Sequence, residues 1–199
     1  MKHNITLRKI IGHFHTITHH RHLVRRGCFR VGLYYQGLTH DLSKYSPTEF
    51  WTGVCYYQGT RSPNAAEREE KGYSEAWMHH KGRNRHHFEY WTDLNMKTGR
   101  YEPVAMPPRY LAEMVMDRIA ACKTYQGAAY TDAAPLDYFE RAKETRLFHP
   151  QTGRELVFLL TMLRDHGEAA TFRFIRTTVL KGLPFANTSC EATYVMSSK

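Results

Sequence analysis

Apolar residues recur at intervals of three and four along most of the chain, and strict alternation of apolar and polar residues is scarce. Intervals of three and four place side chains on one face of an α-helix. The pattern therefore predicts an all-α protein, a single-domain helical bundle over residues 1–182. Residues 183–199 show no such period and are predicted to form a loosely held tail.

The first predicted helix begins after Thr6, whose hydroxyl can cap the free amides, and continues to about residue 26. Its apolar face is predicted to consist of Leu7, Ile10, Phe14, Ile17 and Val24. His20 lies on this face, because it follows Ile17 by three residues and precedes Val24 by four. A histidine directed toward the core is the first candidate for special chemistry.

The doublet His40-Asp41 offers a neutral nitrogen and an anionic oxygen to one small volume, which suits a divalent cation. It follows a helical segment over about 28–35 that Gly37 is expected to interrupt. Neighbouring side chains on a helix diverge by about 100°, yet they can meet over an ion lying between them. The alternatives are a chance dipeptide, or an aspartate that caps the next short segment.

Ser46 starts the clearest helix, because serine can cap it, Pro47 suits its first position and Glu49 can bond back to the cap. Its buried face is predicted to hold Phe50, Val54 and Tyr57. Residues 59–64 are expected to form a loop. One further helix combines aromatic residues and a histidine on its apolar face, namely Tyr73, Trp77 and His80.

A surface loop is predicted over 95–108, and Pro107-Pro108 opens a long helix that continues to about Gln126. Its apolar face is expected to contain Tyr110, Met114, Asp117 and Ala121. Asp117 thus occupies a position where a hydrophobic side chain is expected. Two or three more helices are predicted, over about 136–145, 151–165 and 168–180.

The composition favours a folded protein, since 42% of the residues are hydrophobic. No run of about 18 apolar residues occurs, so no membrane span is predicted. The first residues lack the continuous apolar stretch of a secretory signal, and a cytoplasmic location is expected. The four cysteines are widely spaced and are predicted to be reduced thiols: Cys28, Cys55, Cys122 and Cys190.

The formal charge is +9, from 28 basic and 19 acidic residues, which favours anionic partners such as phosphates, nucleotides or nucleic acid. The basic residues are spread along the chain, and no recognisable nucleic-acid-binding motif occurs. A phosphorylated small molecule or nucleotide is therefore the preferred partner. The sequence makes no prediction of the oligomeric state.

Several metal-capable side chains fall on predicted inward faces of separate segments. They are His20, His40, Asp41, His80 and Asp117, with His87 as a further candidate. Burying an ionised carboxylate is expensive unless it is paired or bound to metal. One such residue has an ordinary explanation as a satisfied core side chain, but a shared cation would neutralise the whole set together. We therefore predict a metal site between facing helices.

The order of these residues resembles that of the HD-domain superfamily of metal-dependent phosphohydrolases, which carry a histidine, an adjacent His-Asp pair and a later aspartate. The matching residues here are His20, His40, Asp41 and Asp117. Superfamily members with two metals usually add histidines before the last aspartate, and the candidates here are His80 and either His86 or His87. The chain from about 17 to 182 also resembles an uncharacterised family of small bacterial and phage proteins, chiefly over 37–50, 77–91 and 114–117.

The resemblance implies an HD-like fold, a metal-activated water and hydrolysis. A site of imidazoles and carboxylates suits one or two Mn²⁺, Fe²⁺, Zn²⁺, Ni²⁺ or Co²⁺ ions better than Ca²⁺. Asp41 would bind metal and orient the water, and Lys44, one turn away, would contact a substrate phosphate. Arg83 and Arg85 are candidates for further phosphate contacts. Each of these three cations has an ordinary alternative as a solvated surface residue.

The function expected from the sequence is that of a metal-dependent phosphohydrolase. Three alternatives stay open: a non-catalytic helical protein that a structural metal ion stabilises, a diiron oxygenase, and a basic nucleic-acid-binding protein. A structural metal would have a closed coordination shell, whereas a catalytic one keeps a position for water or substrate.

Overall fold

Helix α1 (Leu7–Val31) is the first long element and carries the first metal-capable histidine. Thr6 accepts a hydrogen bond from the Lys9 amide at its start, as the sequence predicted. Gly32 ends the helix in the left-handed conformation (φ 89°), which glycine adopts without steric cost. The helix is therefore one turn longer than predicted, because nothing between residue 26 and Gly32 interrupts it.

The computed structural model describes residues 4–141 and 147–186, and within them the chain forms eight α-helices and one hairpin in a single domain. The other elements are α2 (Tyr34–Thr39), α3 (Pro47–Cys55), α4 (Pro63–Lys71), α5 (Glu75–Lys81), β1 (Thr92–Asn95), β2 (Arg100–Pro103), α6 (Pro108–Gln126), α7 (Ala134–Glu140) and α8 (Pro150–Thr177). The prediction of an all-α fold is confirmed, with one short hairpin added to the helices.

Helices α1, α6 and α8 pack against one another and form the core. The residues that fill it are almost completely buried, for example Val24, Cys28, Leu111, Met114, Leu156, Leu160 and Leu163. Burial of such side chains contributes about 1.5–3 kcal/mol each to folding. The core therefore holds α1 and α6 at a fixed separation, and both helices contribute side chains to the candidate site.

The predicted apolar face of α1 was partly wrong. Leu7 and Phe14 are 70% and 50% exposed. The residues that α1 buries are His13, Ile17, His20, Val24, Cys28 and Val31. The helix turns this face inward because it carries the side chains that meet α6 and α3, so the inward position of His20 is confirmed.

Several local predictions differ from the structure. Gly37 does not interrupt α2 but lies buried within it, where a Cβ atom would come within 3.0 Å of the Cys28 and Phe29 side chains. Helix α4 was not predicted, because it buries only Ala66 and Glu67. The predicted loop over 95–108 contains most of the antiparallel β1–β2 hairpin.

Tyr73 precedes α5 and is exposed, so it does not belong to the predicted face. In α3 the buried residues are Glu49, Gly53 and Val54, whereas Phe50 and Tyr57 are only half-buried. The predicted break between 165 and 168 is present at Gly167 (φ 73°, ψ 175°), which divides α8.

The end of the predicted helix over 136–145, most of the predicted tail 183–199, and Cys190 lie outside the described residues. The described part of the predicted tail includes Phe185, which packs against Phe158 and Phe174. Cys28, Cys55 and Cys122 form no disulfide, in agreement with the prediction of free thiols. No helix in the described part of the chain is long and apolar enough to cross a membrane.

Gly53 lets α3 approach α1 beside the candidate site, because a Cβ atom there would lie 2.3 Å from His13 Nε2. The His13 ring is held between Phe50 and Tyr57, at centroid distances of 5.4 and 6.0 Å. We expect Gly53→Ala to lower the free energy of unfolding by about 1–3 kcal/mol, since the added methyl overpacks this contact. Urea unfolding followed by circular dichroism measures the change.

Gly82→Ala is the matched control. Its φ of −73° suits alanine, and the nearest atom to the new methyl lies 3.4 Å away. This variant should unfold within about 0.5 kcal/mol of the wild type. Equal stabilities of the two variants would contradict the proposed close contact.

Candidate metal centre

The backbone at His40-Asp41 is what brings the two side chains together. His40 has left the helix (φ −47°, ψ 126°) and Asp41 adopts the left-handed conformation (φ 52°, ψ 27°), which is uncommon outside glycine but tolerated by aspartate. Arg21 of α1 holds the turn by donating to the backbone carbonyls of His40 and Leu38, at 2.7 and 3.2 Å. The doublet thus lies at a sharp turn and not on a helix.

One set of side chains, here called site A, surrounds the Oδ2 atom of Asp41. Its members are His20 from α1, His40 and Asp41 from the turn, and Asp117 from α6. His20 Nε2 lies 2.9 Å from Asp117 Oδ1 and 3.7 Å from Asp41 Oδ2. His40 Nε2 lies 3.3 Å from Asp41 Oδ2 and 3.6 Å from Asp117 Oδ1. Four potential ligand atoms therefore face one small volume.

A second set, site B, surrounds the other oxygen of the same carboxylate. Its members are Asp41, His80 from the last turn of α5, and His86 and His87 from the segment that follows. Asp41 Oδ1 lies 3.3 Å from His80 Nε2 and 3.4 Å from His86 Nε2. His80 Nε2 is 2.9 Å from His87 Nε2. Asp41 is therefore common to both sites, with one oxygen directed to each.

The spacing of these atoms fits metal coordination. Metal–nitrogen and metal–oxygen bonds of about 2.1 Å separate adjacent ligands by about 3.0 Å in an octahedron and 3.4 Å in a tetrahedron. The spacings in site A run from 2.9 to 3.7 Å. Among the described residues, five of these buried atoms make no hydrogen bond: both carboxylate oxygens of Asp41 and Nε2 of His20, His40 and His86. Buried polar atoms normally have partners, so the donor set fits a cation in each site.

Two further carboxylates set the histidine tautomers. Glu113 Oε1 accepts from Nδ1 of His40 at 2.8 Å and lies 3.2 Å from Nδ1 of His86. Glu49 Oε2 accepts from Nδ1 of His80 at 2.7 Å. Because an ionised carboxylate only accepts, these Nδ1 atoms carry hydrogen, and Nε2 is the nitrogen that each ring directs to a metal site.

Glu113 also forms a compact group with His40 and His86 that could itself hold an ion. The contacts of Glu113 go to Nδ1 of both rings, whereas sites A and B use Nε2. Glu113 therefore orients one histidine of each site, and this group is not counted as a third metal site.

Buried charges at the centre balance one another. Burial alone would raise the pKa of Asp41, but His40, Lys44 and His80 hold it well below its usual value. Burial would likewise raise the pKa of Asp117, and the nearby His20 and His40 rings lower it. Both carboxylates are therefore anionic and available as metal ligands.

Two of the imidazoles are neutral, which is the form that binds metal. Burial is the main cause that lowers the pKa of His20. Burial and the neighbouring His86 and His80 hold the pKa of His87 well below its usual value. Asp41 raises the pKa values of His40 and His80 against the effect of burial. A metal ion bound between these groups would take the place of the added protons.

A cavity of about 1080 Å³ opens onto both sites. Its wall includes four of the candidate ligands, namely His20, His80, His87 and Asp117. Lys44 also lines it, with Nζ 2.7 Å from Asp41 Oδ2. Burial would lower the pKa of Lys44, but Asp41 and Asp117 raise it overall, so the group is a cation.

The other two predicted phosphate contacts lie elsewhere. Arg83 donates to the backbone carbonyl of His79, and Arg85 donates to the Tyr110 hydroxyl and lies over the Tyr90 ring. Neither arginine lines the cavity. Arg85 contacts these two tyrosines instead of the cavity, and its spacing in the sequence could not indicate these contacts.

The structure brings every sequence-predicted ligand into one centre: His20, His40, Asp41, His80, His87 and Asp117. It places His86 beside them, where the sequence left a choice between His86 and His87. Glu113 and Glu49 were not predicted as part of the site. Glu113 lies one turn before Asp117 and is 5% exposed, so a second acid on the inward face of α6 was the signal that could have found it.

Comparison with known families places the chain but assigns it no activity. No curated protein sequence and no solved structure matches this chain. Residues 9–162 match the DUF5662 family, described as a family of unknown function. This match covers more than half of the chain and every residue of sites A and B, and the chain therefore belongs to the DUF5662 family.

Proposed function

We propose that this protein is a metal-dependent phosphohydrolase with two divalent transition-metal ions, one in site A and one in site B. The observation that carries the proposal is the position of Asp41. One of its oxygens lies among the ligand atoms of each site, and ligands of both sites line the same cavity. A carboxylate shared by two ions over an open cavity is suited to hydrolysis of a phosphate ester.

The same arrangement supports assignment to the HD-domain superfamily. The histidine, the adjacent His-Asp pair and the later aspartate of the sequence pattern are the four members of site A. The additional histidines of site B stand between the pair and Asp117 in the chain, as in superfamily members with two metals. Seven histidine and aspartate residues on a helical scaffold carry this assignment.

The donor set suits Mn²⁺, Fe²⁺, Zn²⁺, Ni²⁺ or Co²⁺, because imidazole nitrogens outnumber carboxylate oxygens. When bound, such ions lower the pKa of a coordinated water and polarise a phosphoryl oxygen. Hydrolysis joins the water oxygen to phosphorus, breaks the ester P–O bond, and returns a proton to the leaving oxygen.

The chain supplies the remaining functions. Asp41 orients the attacking water, since its carboxylate lies between the two sites. Lys44 stands on the cavity wall beside Asp41 and donates to a phosphoryl oxygen of the substrate. A purely structural metal site would be closed, whereas the Asp117 side chain is 17% exposed and faces the cavity.

Metal content tests the two-site proposal. The wild-type protein should bind two ions per chain, and Asp41→Ala should lose both, because its carboxylate serves both sites. Asp117→Ala should lose one ion from site A, and His86→Ala should lose one from site B. Calorimetric titration with Mn²⁺ and elemental analysis measure the stoichiometry.

His15→Ala is the matched control, because His15 is an exposed histidine on the same helix as His20 and should keep both ions. Circular dichroism checks that each variant is folded. Full metal content in folded Asp41→Ala and Asp117→Ala proteins would reject the assignment of ligands.

The two orienting carboxylates, Glu113 and Glu49, should differ in the number of metal sites that they affect. Glu113→Gln should weaken metal binding at both sites by roughly 10–100-fold, since Glu113 contacts one histidine of each. Glu49→Gln should weaken only site B, because it contacts His80. Glu67→Gln is a control at a buried glutamate bound to Ser74 and Lys71, and it should leave both affinities unchanged. A change at one site only in Glu113→Gln would contradict the dual role.

Activity is tested by supplying each metal to the purified protein and screening p-nitrophenyl phosphate, phosphodiesters and nucleotides. Lys44→Ala should lower kcat/KM by roughly 10–100-fold while metal content stays the same, because one phosphate contact is lost. Lys71→Ala, which removes a lysine outside the cavity, should leave kcat/KM unchanged. Unaltered kinetics in Lys44→Ala would remove its substrate role.

A further inference from the structure

Two cations on the cavity wall belong to neither metal site and have no role in the function proposed above. They are Arg68 of α4 and Lys81, the last residue of α5. Unlike Arg83 and Arg85, both line the cavity. They are therefore candidates to bind a part of the substrate other than the reacting phosphoryl group.

Arg68 is connected to site B through one aromatic ring. Its guanidinium carbon lies 5.2 Å from the centroid of Trp77. The Trp77 ring in turn meets His87 edge-on, with centroids 4.6 Å apart. These two contacts in series place the guanidinium within about 10 Å of the His87 ring. Arg68 belongs to neither metal site, yet it faces the same cavity.

Charge pairing leaves these cations available for a ligand. Arg61, another residue of the cavity wall, is bound by both carboxylate oxygens of Glu69 at 2.6 Å. Glu49 is occupied by His79 and His80. Within residues 4–141 and 147–186, no carboxylate forms an ion pair with Arg68 or Lys81. Arg68 and Lys81 therefore add positive charge to the cavity wall, which favours an anionic ligand.

Cavity size agrees with a substrate that reaches this region. A volume of about 1080 Å³ slightly exceeds the usual range of ligand pockets, about 300–1,000 Å³, and is far larger than one phosphate group. Trp77 is half-buried in the wall between Arg68 and His87, and it offers a flat apolar surface along the path. An elongated molecule would span the distance from the metal centre to Arg68.

We propose that the substrate carries a second anionic group, a phosphate or a carboxylate, which Arg68 and Lys81 bind while the reacting phosphoryl group lies at sites A and B. This inference rests on the proposed function and specifies its substrate class: an elongated phosphate ester with an anionic group at each end. Arg68 is in this role a specificity-determining residue, and the Trp77 ring holds its guanidinium through the cation–π contact.

The test uses phosphonates, which bind like phosphates but are not hydrolysed. Calorimetry on the Mn²⁺-loaded protein compares methylphosphonate with diphosphonates whose two groups are joined by one, three or six methylenes. The six-methylene compound should bind roughly tenfold more tightly than methylphosphonate, which is the gain from one added charged contact. The one-methylene compound holds its two groups closest together and should show the smallest gain that depends on Arg68.

Variants show which residue causes the tighter binding of the six-methylene compound. Arg68→Ala should remove most of the preference for the six-methylene compound, Lys81→Ala should reduce it, and Arg68→Lys should restore part of it. Arg83→Ala is the matched control, because it removes the same charge from an exposed arginine nearby that does not line the cavity. Affinities that do not depend on length, or an Arg68→Ala protein that keeps the preference, would overturn the proposal.

Binding and turnover separate the two proposals. A protein that binds two metals and prefers the long diphosphonate but hydrolyses no phosphate ester would reject the phosphohydrolase and keep the second anion site. A protein that hydrolyses p-nitrophenyl phosphate without any preference among the diphosphonates would keep the hydrolase and reject the second site.

Discussion

The carboxylate of Asp41 is the charge on which the centre depends. It is completely buried, and burial of an uncompensated ion costs several kcal/mol even after relaxation. The fold surrounds it with groups that offset this cost: His40 beside it, Lys44 one turn later, and His80 and His86 from α5 and the segment after it. Each oxygen faces a different set of imidazoles, so the pairing of one carboxylate with two sites is a property of the backbone turn that presents it.

The rest of the structure serves this geometry through rigid elements. Helices α1 and α6 belong to the core, and they hold His20 and Asp117 within 2.9 Å of each other. Glu113, four residues before Asp117 on α6, orients one histidine of each site from behind. A single helix thus supplies both a ligand and an orienting carboxylate. A substrate would reach the centre through the cavity, which His20, His80, His87 and Asp117 line.

Periodicity and the cost of buried charge were enough to predict a helical protein and to select His20, His40, Asp41, His80 and Asp117. Those residues occupy inward faces or a distinctive doublet, which local sequence reveals. The register of α1 was partly missed, because its buried face includes His13 and Cys28, which a search for aliphatic residues passes over. The roles of Glu113 and Arg68 depend on which residue of a distant element faces them. Arg68 lies on a helix with few buried residues, and nothing local indicates that it lines the cavity.

The shared carboxylate is most directly tested by electron paramagnetic resonance of the protein loaded with two Mn²⁺ per chain. Two ions bridged by Asp41 would lie close enough for their spins to couple, so we expect an exchange-coupled spectrum. At half loading the coupled spectrum should weaken in favour of single-ion signals. A fully loaded wild-type protein that shows only the signal of isolated, uncoupled Mn²⁺ would contradict the central claim, because the two ions would then not share a ligand.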